Sequence, residues 1–214
     1  MPNPVNLTEI AVPDSKICQQ ATRLLAEVSS KCLCNHCMRT YFFGALLGQR
    51  DSLKYDRELF YLGAVLHDLG LTERFSGQQR FEVDGADVAK AFVIEHGLSA
   101  EKAEIVWDAI ALHTSIGIAS RKEPEIALVH LGAGMDFFGL RLEDIDSETV
   151  EKVFEVYPRL GATKVLQELI VSNISRKKPQ VLAFTWMAEV GRNHIPGFGC
   201  PSFDDIVRNS PFSE

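Results

Sequence analysis

The sequence predicts an all-α domain. Apolar residues recur at helical three- and four-residue intervals along most of the chain, helix-start and helix-stop residues punctuate those segments, and strand-like alternation is hard to find. Two ionisable residues, His67-Asp68, interrupt the otherwise apolar run Tyr61-Leu-Gly-Ala-Val-Leu-His-Asp-Leu-Gly-Leu71. The expected architecture is a single helical bundle with a metal site between helices.

The elements follow in order. Pro13-Asp14-Ser15 is a start signal, with Asp14 or Ser15 able to cap a helix through about Ser29. A second helix is predicted from Lys31 to Leu47, ending near Gly48, and a third from Arg57 to Leu69, stopping at Gly70. Asp84 is placed to cap a helix reaching His96, where Gly97 supplies a stop and a cation suits the helix dipole. Ser99-Ala-Glu-Lys102 starts the next, with Ile105, Val106, Ala109, Ile110 and Leu112 at helical spacing. Pro124 opens a helix through Phe138. Ser147–Tyr157, Leu160–Arg176 and Val181–Val190 complete the set, and the tail from His194 reads as irregular chain packed over the domain. The boundaries are an N-terminal extension at 1–12, the domain at 13–193 and the tail at 194–214.

Composition narrows the function classes. At 214 residues and 46% hydrophobic, the chain fits one domain with a sizeable core. A net charge of −7 argues against a general nucleic-acid or membrane-surface binder. No segment is long and apolar enough to cross a bilayer, and Met-Pro-Asn-Pro-Val-Asn lacks the regions of a signal peptide. Five cysteines fit a reducing compartment better than a disulfide scaffold, so a cytoplasmic location is expected. The expected partner is a small molecule. A homodimer is compatible with the chain, although no sequence stripe marks an interface.

Burying His67 and Asp68 without partners would cost several kcal/mol. A divalent cation removes that cost, because neutral imidazole and carboxylate are natural ligands for it. His36 upstream and Asp136 downstream, each flanked by apolar residues on another predicted helix, are the candidate further ligands. Asp136 has a second reading, bonding to backbone amides near Gly132, Gly134 or Gly139.

The order His36, His67-Asp68, Asp136 resembles the HD superfamily of metal-dependent enzymes. Longer blocks resemble its cyanamide-hydratase-like members: His36-Cys-Met-Arg-Thr-Tyr-Phe-Phe-Gly44, Leu66-His-Asp-Leu-Gly70, Arg80-Phe-Glu-Val-Asp-Gly-Ala-Asp87, Trp107-Asp-Ala-Ile-Ala-Leu-His-Thr-Ser-Ile-Gly-Ile-Ala119 and the tail Ile195-Pro-Gly to Pro211-Phe-Ser-Glu214. Cys37 departs from the small hydroxyl residue expected there. The resemblance implies an HD domain over 13–193, metal ligands His36, His67, Asp68 and Asp136, one divalent ion (zinc, with iron, manganese or nickel also suited), and addition of water to cyanamide to give urea.

Asp68 is the candidate for a dual role, ligand and proton acceptor. His113, a polar spot in an apolar helix, either binds substrate or donates a proton, or else bonds to backbone or Thr114. Arg80 and Glu82 are the candidate substrate-binding pair. Glu82 has two further readings, orienting a ligand imidazole or pairing with Arg80 or Arg39. Two other functions compete with the hydratase. One is an HD phosphohydrolase acting on a nucleotide or phosphate ester, for which Arg39 and Arg80 would be the cations. The other is a catalytically silent HD module that senses a ligand. Cys32-Leu-Cys-Asn-His-Cys37 lacks a second ligand pair for a zinc knuckle and is read as packing, His130 as core, and Arg176-Lys-Lys178 as a solvated helix end.

Overall fold

The computed structural model describes residues 7–212, which form ten α-helices, five short 3-10 turns and no strand. Residues 1–6, and the last two residues of the tail Pro211-Phe-Ser-Glu214, lie outside the described residues. No helix among those described is long and apolar enough to cross a membrane.

Local chemistry accounts for the helix starts. Ser15 caps α1 (Lys16–Val28) by accepting from the Cys18 amide, and Ser30 caps α2 (Lys31–Arg50) through Leu33. Asp56 accepts from the Glu58 and Leu59 amides at the start of α3 (Arg57–Leu66). After α4 (Phe81–Glu95), Ser99 caps α5 (Ala100–Ala111). Pro124 stands first in α6 (Pro124–Phe138), which ends where Gly139 turns left-handed at φ 74°. Asp146 caps α7 (Ser147–Val156), and α8 (Ala162–Ser175) follows the left-handed Gly161.

Three boundaries differ from the sequence expectation. The third helix stops at Leu66, and Leu69–Leu71 form a 3-10 turn. Asp84 caps nothing: it lies inside α4, its carboxylate accepting from the Gly77 and Gln79 amides and from Lys177. The last expected helix, Val181–Val190, is a 3-10 turn at Pro179–Leu182 followed by α9 (Trp186–His194). The tail is not wholly irregular, because Ser202 and Asp205 form a capping box at α10 (Phe203–Arg208).

The Lys177–Asp84 pair also corrects the reading of Arg176-Lys-Lys178. The Lys177 side chain is buried rather than solvated, and its ammonium also donates to Gly77 O and Ser76 Oγ. Asn173 adds bonds to Gly70 O and Ser76 Oγ. Together they fasten the chain between α3 and α4 onto α8.

Packing centres on α2 and α6, which lie side by side through one main core cluster. Glycines allow the approach. A Cβ on Gly44 would meet Leu128 O at 2.6 Å, and one on Gly132 would run into Thr40 O. Backbone against backbone at this spacing leaves no room for a methyl group. Gly70 meets the first turn of α4 in the same way, against Phe81 O. These contacts set the positions of His36 on α2, Asp136 on α6 and the His67-Asp68 turn.

Gly132→Ala is therefore expected to force α2 and α6 apart. Overpacking of this kind costs roughly 1–3 kcal/mol, a fall in Tm of roughly 2–12 °C for a chain of this length. Thermal unfolding followed by circular dichroism checks it.

Candidate metal centre

His67 and Asp68 stand where α3 ends. His67 occupies the C-cap position with helical torsions, and Asp68 turns out of the helix at φ −104°, ψ 12°. The break lets the two side chains converge, which neighbours on a continuous helix, about 100° apart, do poorly. His36 approaches from α2. Its Nε2 lies 3.2 Å from His67 Nε2 and 3.4 Å from Asp68 Oδ2, and His67 Nε2 lies 3.3 Å from that oxygen. Among the described residues, this is the group whose ligand atoms all lie close enough together for one ion.

The hydrogen bonds at the far side of each ring decide which nitrogen faces inward. His67 Nδ1 donates to Ala64 O at 2.8 Å, and His36 Nδ1 donates to Asp136 Oδ2 at 2.6 Å. With Nδ1 engaged as a donor, each ring turns Nε2 inward, a lone pair for an ion wherever that nitrogen is unprotonated. Three acceptors face one another with no donor between them, an arrangement that calls for a cation. The spacing fits one as well. A point equidistant from atoms 3.2–3.4 Å apart lies about 1.9 Å from each, close to the 2.0–2.2 Å typical of zinc bonds to nitrogen and oxygen. The donor set suits a divalent ion of the zinc or iron type.

Without an ion, a proton can stand in. Burial works against a charge on His67, but the Asp68 carboxylate outweighs it and raises the imidazole well above its ordinary range. Burial likewise opposes ionisation of Asp68, yet His67 holds the carboxyl well below the usual carboxylate range.

Asp136 stands outside this group. Its Oδ1 accepts from Arg39 Nε at 2.7 Å and Arg159 Nη1 at 3.0 Å, and its Oδ2 from Arg39 Nη2 at 2.8 Å and His36 Nδ1. Those four bonds use the acceptor capacity of a carboxylate. The expected four-ligand set thus has three converging members, with Asp136 behind the His36 ring. The physical reason is the pair of guanidiniums that claim its oxygens. Nor does it bond to backbone amides; Arg159 also donates to its main-chain carbonyl.

His113 faces the same centre. Its Nε2 is 3.8 Å from Asp68 Oδ1, its ring packs edge-on against His67, and its Nδ1 donates to Ile110 O. Burial, helped by the nearby His67 charge, pushes its pKa down to about 4, so the ring is neutral at pH 7 with an accepting Nε2. His130 donates from Nδ1 to His113 O, tying α6 to the end of α5. Among the described residues Glu82 bonds to neither the His36 nor the His67 imidazole. Its carboxylate, wholly buried, accepts from Arg80 twice, from Thr114 Oγ1 at 2.7 Å and from Trp186 Nε1 at 3.2 Å. Arg39 is buried and pairs with Asp136, not Glu82.

Sequence reasoning missed Arg159 and Trp186. Arg159 sits in a linker, and Trp186 opens α9 where the sequence predicts the middle of a helix over Val181–Val190. No local signal marks either. The cysteines of Cys32–Cys37 are free thiols, with Cys32 and Cys34 donating to backbone carbonyls, as packing residues do. His96 closes α4, donating to Phe92 O.

The HD-domain family profile matches residues 33–157, more than half of the chain, and the chain belongs to that family. HD domains are typically metal-dependent hydrolases that bind divalent ions, and His36, His67 and Asp68 form a group able to hold one. A search of curated proteins gives no match.

Two expectations follow. Because His67 carries a proton that an ion displaces, divalent metal binding at neutral pH should release about one proton. Titration calorimetry in two buffers of different ionisation enthalpy measures it. For Asp136, burial opposes ionisation but the bonds from His36 and Arg39 outweigh it, holding the carboxyl well below the usual range. A depressed carboxyl contributes stability above its unfolded pKa of about 3.9, lost as pH falls through the folded value. Asp136→Asn, which strands Arg39, should lose roughly 3–5 kcal/mol at pH 7 and flatten the stability–pH curve below about pH 4. Denaturant unfolding across pH tests both.

Proposed function

We propose that the protein is a metal-dependent hydratase that adds water to cyanamide, giving urea, or to a similar small nitrile-like compound. The observation that carries this reading over a phosphohydrolase is the state of the two nearby arginines. Arg39 is consumed by Asp136 and the Tyr157 and Pro158 carbonyls, and the charge of Arg80 is paired with the Glu82 carboxylate, which leaves its Nη1 group as a hydrogen-bond donor only. Transfer of a phosphoryl group needs cations free to face the developing charge. Access supports the same choice, because His36 and Asp68 are each 4% exposed and His113 is 7% exposed. The blocks that resemble cyanamide-hydratase-like proteins also meet here, contributing His36, His67-Asp68, Glu82 and His113 to one neighbourhood.

His36, His67 and Asp68 would hold the ion, and Asp136 would keep the His36 ring in its accepting tautomer. The ion, when bound, supplies a Lewis acid and lowers the pKa of water to about 7. Asp68 divides its labour between two oxygens. Oδ2 faces the imidazoles, while Oδ1 faces His113 and would take a proton as the water oxygen bonds to the nitrile carbon. The proton ends on the nitrile nitrogen, and tautomerisation of the adduct gives urea. His113, neutral and accepting at Nε2, can relay that proton; it donates only after it has received one. Glu82 holds Arg80 and Thr114 in place beside it, and the Arg80 Nη1 group, which does not bond to Glu82, is the donor left for substrate.

Protein loaded with zinc or cobalt is expected to form urea from cyanamide and to release no phosphate from a nucleotide panel. Phosphate without urea would reverse the reading. Asp68→Ala should abolish turnover and weaken metal retention, measured by elemental analysis after dialysis. Loss of a positioned proton acceptor alone lowers turnover roughly 10²–10⁴-fold, so His113→Ala should fall in that range with metal retained.

A further inference from the structure

Trp186 lies beyond the matched HD region, on the first turn of α9. Its indole nevertheless joins the Glu82 cluster beside His113. Nε1 donates to Glu82 Oε1, the oxygen that Arg80 and Thr114 also use. Its ring meets Phe81 edge-on at 6.3 Å, Phe81 meets His113 at 5.6 Å, and His113 meets His67 at 4.8 Å. An unbroken row of rings thus runs from a half-buried tryptophan to a buried metal-facing histidine.

The chain spends conformational energy to place it. Phe184, two residues earlier, adopts a left-handed backbone at φ 62° while its side chain is 70% exposed. For a bulky L-residue that backbone costs roughly 1–2 kcal/mol and persists where the surroundings over-determine it. The surroundings are the turn closed by the Thr185 amide and hydroxyl on Leu182 O, and the burial of Leu182 and Met187 with Phe81, Ile170 and Ile174. The turn stops the 3-10 segment and starts α9 afresh, so that Trp186 faces Glu82 and Phe81.

We propose that Trp186 sets the upper size of the molecule that reaches the centre, limiting it to a few heavy atoms, and is a specificity-determining residue supplied by the helices that follow the HD match. This rests on the metal-centre reading and narrows its substrate class. Trp186 is large, rigid and pinned at two points, by Glu82 and by Phe81. The ligand-bearing side chains behind it are almost wholly covered. Removing the indole opens the wall without touching a ligand.

The test uses full-length protein loaded with cobalt(II), titrated with azide as a small probe and benzoate as a large one, and followed by the visible cobalt bands. Wild type should take azide at least tenfold more tightly than benzoate. In Trp186→Ala, benzoate affinity should rise at least tenfold while azide affinity stays within about threefold. Trp186→Phe, which keeps a ring but loses the Nε1 donor, should fall between them. An unchanged azide-to-benzoate ratio in a Trp186→Ala protein of wild-type circular dichroism overturns the proposal. If that variant does not fold, wild-type discrimination in Trp186→Phe overturns it instead. Turnover of cyanamide against N-phenylcyanamide gives a separate reading. A shifted anion ratio without urea from any variant would retain the size limit and discard the hydratase reaction.

Discussion

The Asp136 carboxylate, buried between Arg39, Arg159 and His36, is the interaction on which the rest of the structure depends. Taking a carboxylate and a guanidinium out of water is tolerable only with near-complete hydrogen bonding, and here every acceptor position is used. Meeting that demand joins α2 to α6 and to the linker before α8, because Arg39 also donates to the Tyr157 and Pro158 carbonyls. Phe154 lies against both guanidiniums. The glycine seam lets the helices approach closely enough for these bonds, and the bonds in turn hold His36 in the tautomer that points a lone pair at His67. A structural ion pair and a candidate ligand site are thus one network.

A second network does similar work on the other side. Glu82 gathers donors from its own helix start, from the end of α5 and from α9, so one buried charge fixes three segments around His113. Lys177 and Asp84 anchor the chain that leads from the His67-Asp68 turn to Arg80. Both networks recruit residues from beyond the matched HD region. The matched region supplies the converging histidines and aspartate, and the helices that follow it supply Trp186 to the Glu82 cluster and Asn173 and Lys177 to the chain before α4.

Much of the fold was legible in the chain. Ser15, Ser99, Pro124 and Gly139 carry their own structural instructions, and the helices they bound were found within a residue or two. The convergence on His67-Asp68 was legible for a different reason: that pair in an apolar run poses an electrostatic problem that few neighbours can solve. What misled was local plausibility. Asp84 has the chemistry of a cap but pairs with a lysine 93 positions away. Lys177 has the look of a solvated charge but is buried against that same aspartate. Asp136 is expected as a ligand, and the structure sets its carboxylate against Nδ1 of His36 and the two guanidiniums, a convergence that no pattern in the sequence announces.

The sequence by itself determined the helical class, the helix starts and stops, and the need for a cation or an equivalent partner at His67-Asp68. These depend on backbone propensity, capping and burial cost, which act over a few residues. Only the tertiary structure decided which charges would meet. Pairing among Asp136, Arg39 and Arg159, and among Glu82, Arg80 and Trp186, depends on the spacing of helices set by glycine contacts and core packing far apart in the chain. Coulombic and hydrogen-bond energies fall off over a few ångströms, so they are decided by proximity that a linear order does not contain.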